Sequence, residues 1–168
     1  YATALAVHDA IVPLVAPGRL AIKWPNDLLL DGAKLAGVLL ERSGEAVVVG
    51  VGVNVAAAPQ LPDRSAAALH SAGVDPRVDA ALLIEELAHA FARRLLRWRS
   101  EGLAATLTEW EARALPPGTA MITTGACGAR IEGCYAGLAP DGALRLSLAD
   151  GRAIAVHAGD VELARPAR

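Results

Sequence analysis

The segment from residue 46 to residue 55 alternates in a way that could create a ligand-binding surface. Strict alternation places five valines on one face of a predicted strand and leaves the opposite face almost without side chains. On that bare face Gly50 and Gly52 occupy successive positions, and Asn54 ends it with an amide. Glycine inside a strand costs roughly 0.5–1 kcal/mol relative to alanine, so two on one face need a reason. Either a flat ligand approaches the backbone, or a neighbouring element packs tightly there.

Polar residues precede this segment at the ends of two shorter strand-like runs. Asn26 and Asp27 lie at a predicted turn, where both residue types are common for structural reasons alone. Lys34 opens an apolar run, and a lysine beside a hairpin turn is usually solvated; alternatively, its ammonium meets a phosphate or carboxylate. Plain alternation puts Lys34 and Gly37 on opposite faces of their strand. Either a β-bulge lies between them, or Gly37 acts through its backbone or its packing.

A helix and a small sheet must position these residues. The apolar pattern predicts a helix over residues 3–12, which the following prolines end. Strands are predicted over residues 20–24, 27–30, 34–41 and 46–55. Asp31-Gly32 is a strong tight-turn signal, so we expect neighbouring antiparallel strands in one sheet, with the valine face packed in the core.

The second half of the chain changes character at Pro116-Pro117-Gly118. Before this break, Asp79 is predicted to cap a long amphipathic helix, a second helix follows, and we expect Trp98 and Trp110 to lie in the core. After it, alternating runs predict strands over residues 120–124, 129–138, 143–148, 153–156 and 160–163. Five short strands indicate a small β-barrel. The predicted domains are therefore residues 1–115 and 116–168.

Composition excludes several classes of function. A net charge of −2 gives no general attraction to nucleic acid or to an anionic membrane. Cys127 and Cys134 cannot form a disulfide framework, no metal-ligand pattern accompanies them, and the expected compartment is the cytoplasm. The chain begins with Tyr1, inside an apolar periodic pattern, as a fragment would.

Three ordered blocks resemble those of the biotin–protein ligases. They are Lys23-Trp24-Pro25-Asn26-Asp27, then Lys34-Leu35-Ala36-Gly37-Val38-Leu39 with Glu41, then Gly50-Val51-Gly52-Val53-Asn54. The first block points to biotin rather than to the related lipoate ligases. The resemblance implies an α+β fold with an antiparallel-rich mixed sheet backed by helices. This is a partial core of the class II synthetase and biotin ligase type, followed by a small C-terminal β-barrel. It also implies N-terminal truncation, because the family's Gly/Arg-rich adenylate loop has no counterpart here.

The same resemblance implies an enzyme. Members of this family use ATP and magnesium to form biotinyl-AMP, and then transfer biotin to a lysine of a biotin carboxyl carrier protein. A homodimer is compatible with the resemblance, whereas nucleic acid and membrane partners are not expected of this chain. Two alternatives remain: a non-catalytic module that binds biotin or adenylate, and an inactive truncated fragment.

Roles for individual residues also follow from the resemblance. Lys34 would bind the biotin carboxylate and the α-phosphate, and Asp27 would orient the acceptor lysine and take its proton. Asn26 and Asn54 would form hydrogen bonds on the nucleotide side. The residues predicted to bind biotin and the adenylate are Lys34, Gly37, Leu39, Gly50, Gly52, Asn54 and Asn26. No metal ligands are expected.

Overall fold

The computed structural model describes residues 1–60, 65–124 and 129–164, so Cys127 lies outside the described residues. The chain divides into two compact units, Tyr1–Arg113 and Ala114–Arg168, each with its own sheet. The helices are α1 (Ala2–Ile11) and α2 (Ala80–Glu111). The strands of the first unit are β1 (Leu20–Lys23), β2 (Asp27–Leu30), β3 (Ala33–Ser43) and β4 (Ala46–Val53). Those of the second are β5 (Ala120–Thr124), β6 (Arg130–Leu138), β7 (Leu144–Ser147), β8 (Ala153–Val156) and β9 (Val161–Leu163).

The sheet of the first unit follows the chain in the order β1-β2-β3-β4, joined by antiparallel pairs. We expected a mixed sheet; the parallel element is a single isolated bridge between Lys34 and Ala66. Helix α1 is buried along most of its length and contacts both α2 and the first two strands. The core therefore lies between α1 and the β1–β2 side of the sheet.

The prediction that the valine face of β4 packs in the core is wrong: Val47 and Val49 are exposed, and Val51 and Val53 are only half-buried. In the half of the β3–β4 hairpin that is nearer its turn, both faces are exposed. The exposed apolar side chains there include Val47, Val48, Leu39 and Leu40. Within the described residues, α1 contacts the other end of the sheet, through β1 and β2. Alternation predicted the direction of the side chains correctly, but not which part of the strand would be covered.

Helix α2 consists of two helical segments separated by a kink. Asp79 caps it as predicted, with its side chain accepting a hydrogen bond of 2.9 Å from the Leu82 amide. Gly102, with φ of 81°, separates the two predicted helical segments. Trp110 is buried as expected, whereas the prediction for Trp98 is wrong, because its side chain remains 42% exposed.

A group of charged residues ties α1 to α2. The guanidinium of Arg94 contacts both carboxylate oxygens of Asp9, at 2.6 and 3.0 Å, and also pairs with Glu109. Arg113 donates a hydrogen bond of 2.8 Å to the Glu109 carbonyl. We call Asp9, Arg94, Glu109 and Arg113 the helix cluster. It reaches the sheet because the Arg113 carbonyl accepts a 2.8 Å hydrogen bond from the amide of Ile22 on β1.

The second unit is a five-stranded antiparallel sheet in the order β8-β7-β6-β5-β9. Its buried side chains alternate along the strands, as in Met121, Tyr135, Leu144, Leu146 and Val161. The five strands coincide closely with the predicted runs. Among the described residues the pairings leave β8 and β9 at opposite ends of the order, so a closed barrel is not formed by these pairings.

None of the helices in the described ranges combines the length and the hydropathy that crossing a bilayer requires.

Candidate functional site

A row of four residues crosses the first sheet from strand to strand. Lys23 on β1 pairs with Asp27 on β2, Asp27 pairs with Gly37 on β3, and Gly37 pairs with Gly52 on β4. Directly paired residues on neighbouring antiparallel strands project from the same face. The row therefore places two charged side chains and two glycines on one surface.

A β-bulge brings Lys34 to the same surface. The partner of Leu28 is Ala36, but the partner of the next residue, Leu29, is Lys34. Leu35 is therefore an extra residue in β3, and its side chain is fully buried. A single inserted residue reverses the alternation, so Lys34 and Gly37 share a face despite their spacing of three. Of the two explanations that the sequence left open, the bulge is the one observed.

Lys23, Asp27 and Lys34 form a cluster that we call the lysine–aspartate triad. The Lys34 ammonium lies 2.5 Å from Oδ1 of Asp27, and the Lys23 ammonium lies 2.9 Å from Oδ2. The Asp27 side chain is buried, and the two lysines flank it on opposite sides. With two ammonium groups and one carboxylate, the triad carries an excess of positive charge that favours an anionic ligand.

Gly37 leaves the space that the Lys34 side chain occupies. A Cβ atom at this position would lie 3.3 Å from both Cε and Nζ of Lys34, and 3.6 Å from Oδ1 of Asp27. The ammonium thus lies directly over the bare backbone of β3. Because Gly37 has no side chain, the Lys34 ammonium can reach Asp27.

The surface beyond Gly37 is open. A Cβ atom at Gly52 would meet nothing within 4 Å, and at Gly50 it would contact only Leu39, at 3.7 Å or more. Leu39 pairs with Gly50, and its side chain is 69% exposed. Within the described residues, tight packing by a neighbouring element therefore does not account for the two glycines. The result is a strip of bare backbone, beginning at the triad and bordered by one exposed leucine, which we call the glycine strip.

The two predicted asparagines hold the backbone around the triad. The Asn26 amide nitrogen donates a 2.7 Å hydrogen bond to the Val38 carbonyl, and the Val38 amide donates back to the Asn26 carbonyl at 2.9 Å. The Asn54 side chain donates to the carbonyls of Ala67 and Lys34, at 3.0 and 3.3 Å. Both side-chain amides therefore fix main chain next to Asp27 or Lys34, in addition to any contact with a ligand.

Lys23 is not among the predicted site residues, although its ammonium pairs with Asp27 at 2.9 Å. The signal was present: a lysine and an aspartate four residues apart across a tight turn face each other when the turn closes a hairpin. The sequence indicates the bulge at Leu35 in one way: plain alternation puts Lys34 and Gly37 on opposite faces of their strand.

The described residues do not supply a metal site. No group of three or more His, Cys, Asp or Glu side chains in residues 1–60, 65–124 and 129–164 is arranged to hold a metal ion. The site carboxylate, Asp27, already faces two ammonium groups. The donor set therefore fits an anion better than a resident cation.

Comparison of sequences relates this chain to enzymes of known activity. A sequence profile of the biotin/lipoate A/B protein ligase family matches residues 10–55. The biotin–[acetyl-CoA-carboxylase] ligase of Paracoccus denitrificans is 38% identical over 165 residues, covering 92% of this chain and 68% of that protein. The enzyme of the same name from Mycobacterium tuberculosis is 38% identical over 167 residues. That match covers 95% of this chain but only 60% of the relative.

Comparison of structures gives the same fold. The apo biotin protein ligase of Aquifex aeolicus superposes with a TM-score of 0.80 at 24% identity, covering 98% of this chain and 73% of that one. The structure of that enzyme in complex with biotin and ATP also has a TM-score of 0.80. The α+β architecture with antiparallel sheets is therefore shared with these structures.

Proposed function

Since the chain belongs to the biotin–protein ligase family, we propose that its gene product forms biotinyl-AMP from biotin and ATP and transfers the biotin to a lysine of a carrier protein. The substrates are those of the biotin–[acetyl-CoA-carboxylase] ligases to which it is similar. This chain spans about two thirds of the Paracoccus protein and 60% of the Mycobacterium protein. The proposal therefore applies to the full-length gene product that carries this sequence.

One observation carries the proposal: the lysine–aspartate triad opens onto the glycine strip. An acyl adenylate is an extended molecule with ring systems at its two ends and a negative phosphate between them. A bare strand surface accepts flat groups at close range, and the ammonium of Lys34 at its edge compensates the phosphate charge. The positions of Gly37, Gly50 and Gly52 supply the surface, and Lys34 supplies the cation at its edge.

In the first step, a carboxylate oxygen of biotin attacks the α-phosphorus of ATP. The new P–O bond forms as the bond to the β-phosphate oxygen breaks, and pyrophosphate leaves with the electron pair. We assign Lys34 to the biotin carboxylate and the α-phosphate, because its ammonium is the more exposed of the two in the triad. A donor held in place before the reaction stabilises developing charge by roughly 10²–10³ in rate.

In the second step, the acceptor amine attacks the carbonyl carbon of biotinyl-AMP. The amide C–N bond forms, the C–O bond to the phosphate breaks, and AMP leaves with the electron pair. We assign Asp27 to orient the acceptor lysine and to take the proton that its nitrogen loses. The Oδ1 atom of Asp27, which faces the Lys34 ammonium at 2.5 Å, is already placed to receive a primary ammonium group.

The remaining predicted residues shape the surface. We assign Gly37, Gly50 and Gly52 to close contact with biotin and the adenylate, and Leu39 to apolar contact at the exposed edge. Asn26 and Asn54 are assigned to the nucleotide side. Their contacts with Val38, Ala67 and the Lys34 carbonyl support a second contribution, since they hold the backbone that carries the triad.

Magnesium enters this proposal only as the usual companion of ATP, bound through the phosphates. The described residues do not fit a protein-held magnesium site, so no step is assigned to a metal ligand of this chain.

Further parts of the proposal concern assembly and location. We propose residues 1–115 as a partial biotin- and adenylate-binding catalytic domain, and residues 116–168 as a small C-terminal β domain that engages the biotin carboxyl carrier protein. The open edge of β4 and the exposed Leu40 and Val47 would support a homodimer. We place the reaction in the cytoplasm. Sedimentation of the full-length product would test the dimer.

The experiment that tests the function measures both half-reactions of the full-length gene product. Biotin-dependent exchange of pyrophosphate into ATP reports the first step, and mass spectrometry of a biotin carboxyl carrier domain reports the second. We expect exchange that requires biotin and is not supported by lipoate, followed by a single biotin on the acceptor lysine. Biotin binding without exchange would instead indicate a binding module and would contradict the proposal.

A further inference from the structure

The two lysines of the triad are not equivalent. The Lys23 side chain is 10% exposed, whereas that of Lys34 is 34% exposed. Each lysine faces a different oxygen of Asp27, with Lys23 on Oδ2 and Lys34 on Oδ1. Lys34 therefore lies at the open end of the triad, beside the glycine strip, and Lys23 at its closed end.

The pairing of β1 with β2 fixes the position of the Lys23 backbone. Lys23 pairs directly with Asp27 across the β1–β2 hairpin. Its neighbour Ile22 is buried, and the Ile22 amide donates to the Arg113 carbonyl at the end of α2. The backbone of Lys23 is therefore fixed opposite Asp27, and its buried ammonium lies 2.9 Å from Oδ2 of that residue.

A buried ion pair of this kind needs a reason other than stability. Removing two charges from water costs about as much as their attraction returns, so apolar residues of similar size often serve a core equally well. Lys23 nevertheless presents its charge to the residue that we assign to the acceptor amine. This arrangement favours a role in the reaction over a role in folding.

The need for a second cation appears when Lys34 engages its ligand. As the Lys34 ammonium turns toward the carboxylate and phosphate, Asp27 loses part of its compensation while an anionic adenylate lies beside it. Two negative groups at close range repel each other, and more strongly in a buried site than in water. A cation fixed on Oδ2 compensates Asp27 and leaves Oδ1 directed at the incoming amine.

Resting on the proposed function, we infer that Lys23 is a positioning residue for the transfer step. It holds the Asp27 carboxylate in orientation and in charge balance while Lys34 is committed to the adenylate. Lys23 acts through Asp27 and does not contact the substrate. Its removal should therefore affect biotin transfer much more than biotinyl-AMP formation.

The test supplies biotinyl-AMP directly to the full-length gene product and measures single-turnover biotinylation of a carrier domain. Lys23→Met removes the charge and keeps the length of the side chain, and Lys23→Arg keeps the charge. We expect Lys23→Met to lower the transfer rate by about 10², the scale of lost general acid–base catalysis. Biotin-dependent pyrophosphate exchange should stay close to the wild-type rate, and Lys23→Arg should recover much of the transfer rate.

A double-mutant cycle separates this role from a structural one. If Lys23 acts through Asp27, Lys23→Met should add little to the loss caused by Asp27→Asn, because residues that act as a unit are not additive. Equal losses in both half-reactions, or additive losses in the cycle, would overturn the inference. Failure of both Lys23→Met and Lys23→Arg to fold would overturn it too, since it would assign the lysine to the scaffold.

The outcomes for the wild-type protein separate this inference from the proposed function. If the wild-type protein transfers no biotin from biotinyl-AMP, the proposed function fails and the inference fails with it. If the wild-type protein transfers biotin and Lys23→Met does so equally fast, only the inference on Lys23 fails.

Discussion

Two groups of charged residues lie in the same compact unit, and they are built in opposite ways. The lysine–aspartate triad sets two ammonium groups against one carboxylate, next to an open surface. The helix cluster sets the guanidinium groups of Arg94 and Arg113 against the carboxylates of Asp9 and Glu109, between packed helices. The first is left with excess charge for a ligand, whereas the second is balanced, because Arg97, which also pairs with Glu109, is compensated in turn by Glu101.

The choice of cation matches this difference. Arg94 uses its planar group as a fork on both oxygens of Asp9, a geometry that fixes the relative position of α1 and α2. Lys34 is a point charge on a flexible stem and can turn between Asp27 and a ligand without rearranging the strand. Changes in the helix cluster should therefore alter stability, and changes in the triad should alter rates.

The largest effect is expected for Lys34→Ala. Loss of the ammonium should lower biotin-dependent pyrophosphate exchange by about 10²–10³, the usual scale for a donor that stabilises developing charge. The melting temperature should change little, because the side chain is partly exposed. Arg42→Ala removes an exposed cation from the same strand and serves as the control. Comparable losses in both variants would remove the distinction between the triad and the rest of β3.

The next effect concerns stability. Arg94→Met leaves two buried or half-buried carboxylates with less compensation, and we expect the free energy of unfolding to fall by about 3 kcal/mol. Exchange activity per folded molecule should be retained. Arg77→Met is the matched control, because Arg77 pairs with Asp75 on the surface and its removal should leave urea unfolding unchanged. An Arg94 variant that is fully stable but inactive would reverse the assignment of the helix cluster.

A smaller effect should separate two glycines of one row. In Gly37→Ala the new methyl group meets the end of the Lys34 side chain at 3.3 Å and displaces the ammonium from Asp27. We expect about a tenfold loss in kcat, equivalent to roughly 1.4 kcal/mol. In Gly52→Ala the methyl group meets no protein atom within 4 Å. It should therefore raise KM for biotin with less effect on kcat. Identical kinetic changes would mean that Gly37 has no special relation to Lys34.

The two regions also differ in how far the sequence predicts them. Alternation and turn residues predicted the strands that carry the triad, and the three ordered blocks contain Lys34, Asp27 and the glycines, whose roles at the site stay predictions. The pairing of Lys23 with Asp27 was missed because it depends on hairpin register. For the same reason the sequence does not decide whether β3 contains a bulge. The position of the bulge at Leu35 is fixed by pairing between strands and not by the conformational preference of the local residues.

The helix cluster was hardly visible in the sequence. Arg94 and Asp9 are 85 residues apart in the chain, and arginines near the end of a helical segment are explained by the helix dipole without any such partner. Trp98 shows the same limit, because helical periodicity places it on an apolar stripe while the kink at Gly102 and the packing of α1 decide what is covered. Local patterns predict elements; contacts between distant elements need the fold.

The smallest expected effect is a pH dependence of stability that comes from Asp9 in the helix cluster. Burial by itself raises the pKa of Asp9, but hydrogen bonds from His8 and Arg94 and the charges of Arg94 and Arg113 outweigh it, so the pKa lies well below its ordinary value of 3.8. The unfolded chain then binds a proton at a pH where the folded protein does not. Stability from this group is therefore present above about pH 3.8 and is lost as the pH falls through the lower folded-state pKa. Urea unfolding across this acid range should give a shallower slope against pH for Asp9→Asn than for the wild type. An unchanged slope would show that Asp9 and Arg94 do not form the balanced pair that sets the helix cluster apart from the triad.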